Sequence, residues 1–159
     1  MATESELWRA DAAHRYLCKA RGAQRRIQTL ADTIADLYEE MAAIKAVDYS
    51  VDRVDGGAPS DMLERMLDDK DRRMQECQDQ AHQQEALLHR ITYILGKMDD
   101  QLYASVLEDY YINGHEWYLV AEHHHYSTQH IHRIRFMALL EFHDCMFDED
   151  AEIPDALGS

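Results

Sequence analysis

Basic residues are scarce in this chain. Sixteen Lys and Arg stand against 31 Asp and Glu among 159 residues, a formal charge of −15 with histidine neutral. That balance excludes a protein held on nucleic acid or anionic lipid by bulk positive charge alone. Only two prolines and six glycines occur, so chain breaks are few and long elements are expected. No apolar run approaches the roughly 18 residues of a membrane-spanning helix, and the first residues, Met1 to Glu6, lack a basic flank with an apolar core. No membrane partner is expected. Three scattered cysteines, Cys18, Cys77 and Cys145, are odd in number and build no disulfide framework; they suit a reducing cytoplasm. Strand-like alternation and internal repeats are missing too. What is abundant is helix-forming material, with 46% apolar and 30% charged residues, too apolar for a disordered chain.

Two stretches carry helical periodicity. Ala13, Tyr16, Ala20, Ala23, Ile27, Leu30, Ile34, Leu37, Met41 and Ile44 recur at alternating spacings of three and four, a seam along one side of a helix. Gly22 is its one weak point, costing about 1 kcal/mol against Ala in a helix interior. The second seam runs Leu63, Leu67, Lys70, Met74, Cys77, Ala81, Gln84, Leu88, Ile91, Leu95 and Met98. Its polar members, Lys70 and Gln84, weaken packing and fix register. Residues 48–60 separate the two: Gly56, Gly57 and Pro59 stop the first helix, and Ser60 is placed to cap the second. The expected architecture is all-α, a long antiparallel, coiled-coil-like helical hairpin over 1–98 followed by a small helix-turn-helix domain over 99–147. A hairpin with one apolar seam per helix is marginal alone, so it is expected to pack on a third element or on a second copy, as a homodimer. The acidic tail, 148–159, has no period and is expected to be disordered.

After residue 99 the periods shorten. Asp99 or Asp100 caps a helix to Ile112 with Leu102, Val106, Leu107 and Tyr110 inward, and Asn113-Gly114 ends it. A short helix over 116–123 places Trp117, Val120 and Ala121 inward. A turn at His124, His125 and Tyr126 follows, and Ser127 caps a last helix to about His143 with Ile131, Ile134, Ala138, Leu139 and Phe142 on its inner face. A short helix, a tight turn and a longer helix opened by serine are the parts of a helix-turn-helix, whose second helix can enter the major groove.

The run Tyr110-Tyr111-Ile112-x-Gly114-x-x-Trp117-x-x-Val120-Ala121, then Tyr126-Ser127-x-x-x-Ile131-x-x-Ile134-x-x-x-Ala138-Leu139, resembles the promoter-reading region 4 of bacterial sigma factors. Over roughly 20–145 the chain also resembles small phage and prophage proteins of the ArpU and RinA type, which pair a helical hairpin with such a domain and are described as regulators of late or packaging genes. The resemblance implies a phage-type transcriptional regulator working in a bacterial cytoplasm on double-stranded DNA, with RNA polymerase as a further partner. It places Thr128, Gln129, His132 and Arg133 toward the bases, with Ser127 and His130 at the same helix start. Gln129 suits an adenine edge and Arg133 a guanine, while Ser127 and the free amides suit a phosphate. Against this, 113–147 holds two Arg and four acidic residues, so DNA affinity from this chain alone is expected to be weak.

Seven of ten histidines fall between 115 and 143: His115, His123, His124, His125, His130, His132 and His143. On a regular helix three consecutive histidines point about 100° apart and do not converge on one ion, and the H-E-x-x-H pattern fails at Leu119. No metal, no cofactor and no catalytic residue is expected, and Cys145 near His143 lacks the setting of a nucleophile. Partial protonation near pH 6 is expected to make the segment more cationic and DNA binding stronger. The competing expectation is an acidic inhibitor or adaptor that mimics DNA and occupies the nucleic-acid channel of a host protein, CRISPR nucleases included. The two differ in whether acid lines the face bearing Gln129, His132 and Arg133.

Overall fold

The computed structural model of the chain describes residues 1–50 and 58–147, with side chains described outside 48–60. The expected loop around Gly56 and Gly57 and the tail 148–159 lie outside the described residues. Among the described residues there are six α-helices: α1 (Glu4–Cys18), α2 (Ala23–Ser50), α3 (Ala58–Lys97), α4 (Gln101–Leu107), α5 (Trp117–His123) and α6 (Thr128–Met146). A π-helical turn, Glu108–Ile112, continues α4. The fold is all-α, and no strand occurs among the described residues.

The first seam is not one helix. α1 ends at Cys18, four residues turn, and α2 starts at Ala23, with Gly22 at φ +82°, where glycine is the residue without a Cβ penalty. The expected boundaries at 48–60 shift as well. α2 continues to Ser50, and α3 begins at Ala58, so Ser60 lies inside α3 instead of capping it. Pro59 then sits in a first turn, where its missing N–H breaks no helical bond.

The chain divides into two compact units, and the division is not at residue 98. One unit is Arg25–Gln83; the other joins Met1–Gln24 to the chain from Gln84 onward. In the first unit the expected seams face inward: Ile27, Leu30, Ile34, Met41, Ile44, Leu63, Leu67, Met74 and Cys77 are half-buried and Leu37 is buried. The polar seam member Lys70 reaches across to Glu40, Nζ to Oε2, at 2.5 Å.

In the other unit α1 packs on α6, and α4 and α5 pack on α6 as well. One apolar cluster gathers Ala10, Ala13 and Leu17 of α1, Ile91, Ile94 and Leu95 at the end of α3, Leu107, Tyr111, and Ala138, Leu139 and Phe142 of α6. A second cluster, Val106, Val120, Ala121, Ile131 and Ile134, holds α5 against the first half of α6. All five expected inner positions of α6 are buried. Asp100 caps α4, its carboxylate accepting from the amides of Leu102 and Tyr103. Glu141 of α6 accepts from the amides of Asp99 and Asp100 at 2.6 and 3.1 Å.

The π-helical turn is closed by a backbone bond of its own. The Asn113 amide bonds the carbonyl of Glu108, five residues back, at 2.9 Å. One wide turn rotates the following side chains relative to a regular helix. Asp109 and Tyr111 of this turn are buried, three residues after Val106 and four after Leu107. Gly114 leaves the turn at φ +77°, and an added Cβ there would meet nothing within 4 Å. Gly114→Ala is therefore expected to cost about 1–2 kcal/mol through backbone strain alone, read as a lower midpoint in thermal unfolding.

Candidate nucleic-acid interface

The start of α6 is bare. Ser127 takes an extended conformation at φ −68°, ψ 155°, and its hydroxyl accepts from the amide of His130 at 3.1 Å. First-turn amides have no acceptor within their own helix; with His130 served by the cap, those of Thr128 and Gln129 remain for a ligand. Ser127, Thr128, Gln129, His130, His132 and Arg133, the six residues expected at a DNA surface, are all exposed. The first turn carries no acidic side chain. Gln129, His132 and Arg133 line an open groove together with Phe136 and Met137.

Local packing sets this helix start in place. The turn between α5 and α6 closes with the Tyr126 amide on the Ala121 carbonyl at 2.9 Å, and His125 takes φ +60°. Beneath the groove the Trp117 ring stacks on Tyr110 with centroids 3.9 Å apart and planes 11° from parallel. His132 leans on the same indole at 5.7 Å, and Tyr126 on His130 at 4.7 Å.

Arg135, the second basic residue of the segment, does not belong to the surface. Its guanidinium lies 5.3 Å from the Trp117 ring centre, and its Nη2 reaches His14 Nδ1 at 3.2 Å. Arg133 is thus the exposed arginine of the α6 start. This deepens the cationic shortage read from the sequence.

Behind the helix, His14 of α1 is held neutral. Tyr111 donates its hydroxyl to His14 Nδ1 at 2.6 Å, and Nε2 faces Cys18 Sγ at 3.5 Å. Because arginine can only donate, Nδ1 is the acceptor and the proton sits on Nε2. Burial, then the Arg135 charge, hold the His14 pKa below its ordinary 6.5, against a smaller pull from Asp11. Burial also pushes Tyr111 up to about 12 and lowers His143, whose Asp144 neighbour only partly compensates. His143 therefore gains charge in mild acid less readily than a free imidazole does.

These directions fix a pH dependence. The unfolded chain takes up protons at His14 and His143 below about pH 6.5 that the folded chain refuses, so stability falls as pH drops through that value. The melting temperature is expected to decline between pH 7.5 and 5.5, and less steeply in a His14→Gln, His143→Gln double variant measured over the same range.

A second constellation stands beside the interface, and the sequence reading missed its centre. The buried Asp109 carboxylate accepts from His115 Nδ1 at 2.5 Å on one oxygen and from His123 Nδ1 at 2.9 Å on the other. His124 Nε2 lies 3.8 Å from the same carboxylate. Burial alone would raise the Asp109 pKa, but the two histidine bonds together hold it below its usual value. His124 is the C-cap of α5, at φ −97°, ψ 3°, and its ring approaches the carboxylate that His123 also holds. Asp109, His115 and His123 form the one group of potential metal ligands among the described residues, with donor atoms within 4.8 Å of one another.

No helix among the described residues is long and apolar enough to cross a membrane. Comparison with protein-family models, with characterised proteins and with solved structures finds no match to this chain.

Proposed function

We propose that this chain is a sequence-specific DNA-binding regulator of transcription, of the phage type, that reads the major groove with the start of α6. The observation that carries the reading is the exposed, acid-free first turn of α6, which offers Thr128, Gln129, His132 and Arg133 beside two unused amides. The likeness of its sequence pattern to sigma region 4 supports the same use. A single exposed arginine gives little phosphate attraction, so a second copy of the chain or RNA polymerase supplies the remaining contact.

Selection of genomic fragments, followed by gel shift at low salt, tests this. Arg133→Ala and Gln129→Ala are each expected to weaken the selected site by about 1–3 kcal/mol and to relax preference at one base pair. Both residues are exposed, so unfolding curves should move by no more than about 0.5 kcal/mol. Failure to enrich any fragment, with and without polymerase, overturns the reading in favour of an acidic adaptor that binds a host protein.

A further inference from the structure

We propose that Asp109, His115 and His123 bind one divalent transition-metal ion of zinc-like chemistry, with solvent completing its coordination. Two imidazoles and a carboxylate with no thiolate are a donor set for zinc, cobalt or nickel, and a poor one for calcium or magnesium, which take oxygen ligands. The carboxylate is the buried anchor at 10% side-chain exposure, while His115 and His123, at 41% and 46%, open the site to solvent on one side. An ion can therefore enter without unfolding the unit. The two imidazole rings stand edge to face with centroids 5.0 Å apart, so both can turn a nitrogen toward a common point.

The adjustment needed is small. Ligands held about 2.0–2.2 Å from a tetrahedral ion stand about 3.3 Å from one another. His115 Nδ1 and His123 Nδ1 sit 2.5 and 2.9 Å from separate oxygens of the carboxylate and must open by less than about 1 Å, while donor atoms that now lie within 4.8 Å of one another draw in to the same spacing. Each neutral ring moves its proton from Nδ1 to Nε2, which frees the Nδ1 lone pair without loss of charge balance on the ring. The ion then replaces two hydrogen bonds to one carboxylate, and the open side left by the half-exposed histidines admits solvent to the fourth position.

The ligands explain what such an ion does. Asp109 belongs to the π-helical turn, His115 to the loop after it, and His123 to the end of α5, four residues before the Ser127 cap of α6. Binding ties these three segments together at the turn that positions α6. The site stands on its own geometry, whether or not the chain reads DNA.

Untagged full-length protein titrated with Co2+, with visible absorption as the readout, tests the proposal without DNA. One equivalent is expected to saturate an intense band of a four- or five-coordinate site, and Zn2+ is expected to abolish it. His115→Ala and His123→Ala should each weaken Co2+ at least tenfold, while the exposed neighbour His125→Ala should not. Circular dichroism of each variant establishes that it is folded, and if one unfolds the other is decisive. Absence of a saturable band, or a band unchanged in both ligand variants, shows a purely hydrogen-bonded cluster and overturns the proposal.

Discussion

A chain that begins at Arg25 is expected to lose cooperative unfolding of the unit that contains the helix-turn-helix. The reason is α1. Ala13 and Leu17 are fully buried, with Ala10 and Ala20 close to it, and Leu17 is among the largest side chains with no exposure. Arg9 further pairs with Asp144 of α6 at 3.0 Å, and Arg21 with Glu116 ahead of α5 at 2.8 Å. Removing a single buried leucine costs about 2–5 kcal/mol, against a total stability of about 5–15 kcal/mol for a domain. Losing a whole helix, with Phe142, Leu139 and Ala138 newly exposed, exceeds what the unit can sustain. Thermal melts by circular dichroism, comparing the full chain with one starting at residue 25, check this. An equally sharp transition within about 2 °C would show that α1 is dispensable. A fragment limited to 99–147 should fare no better, because it also forfeits Ile91, Ile94, Leu95 and Met98.

This dependence was hidden in the sequence for a physical reason. The four-residue turn at 19–22 preserves the seam's spacing, so Ala13, Tyr16, Ala20, Ala23 and Ile27 read as one continuous stripe although the helix breaks beneath them. A glycine penalty near 1 kcal/mol does not decide between a kinked and an unbroken helix; packing of α1 on α6 decides it. Where an element's burial follows from its own period, the sequence pattern and the structure agree. The inner face of α6 and the Ser127 cap are of that kind, and both depend on residues close in sequence. The Asp109 group is the opposite case. Its partners lie six and fourteen residues away, beyond the Gly114 turn and at the far end of α5, so no single helical period brings them together. In a chain with 31 acidic residues, nothing local distinguishes this aspartate from its solvated neighbours.

Phe142→Ala and Met137→Ala are expected to separate the two faces of α6. Phe142 is fully buried in the larger cluster and tilts against Tyr16 of α1, with centroids 6.3 Å apart. Its truncation removes apolar area and leaves a cavity between α1 and α6, at a cost of about 3–5 kcal/mol. Met137, only five residues earlier, is 49% exposed on the groove that Gln129 and Arg133 line. Its truncation should leave stability within about 0.5 kcal/mol. Urea unfolding followed by circular dichroism measures both. If Phe142→Ala costs less than about 1 kcal/mol, α1 and α6 are not packed as described. The contrast also governs how any loss of ligand binding is to be read. A change at Phe142 weakens recognition only in proportion to the unfolded fraction, so saturating stabilisation at low temperature should restore it. If α6 reads DNA as proposed, a change at Arg133 or Gln129 is expected to weaken recognition in a fully folded chain, and no stabilising condition should bring it back.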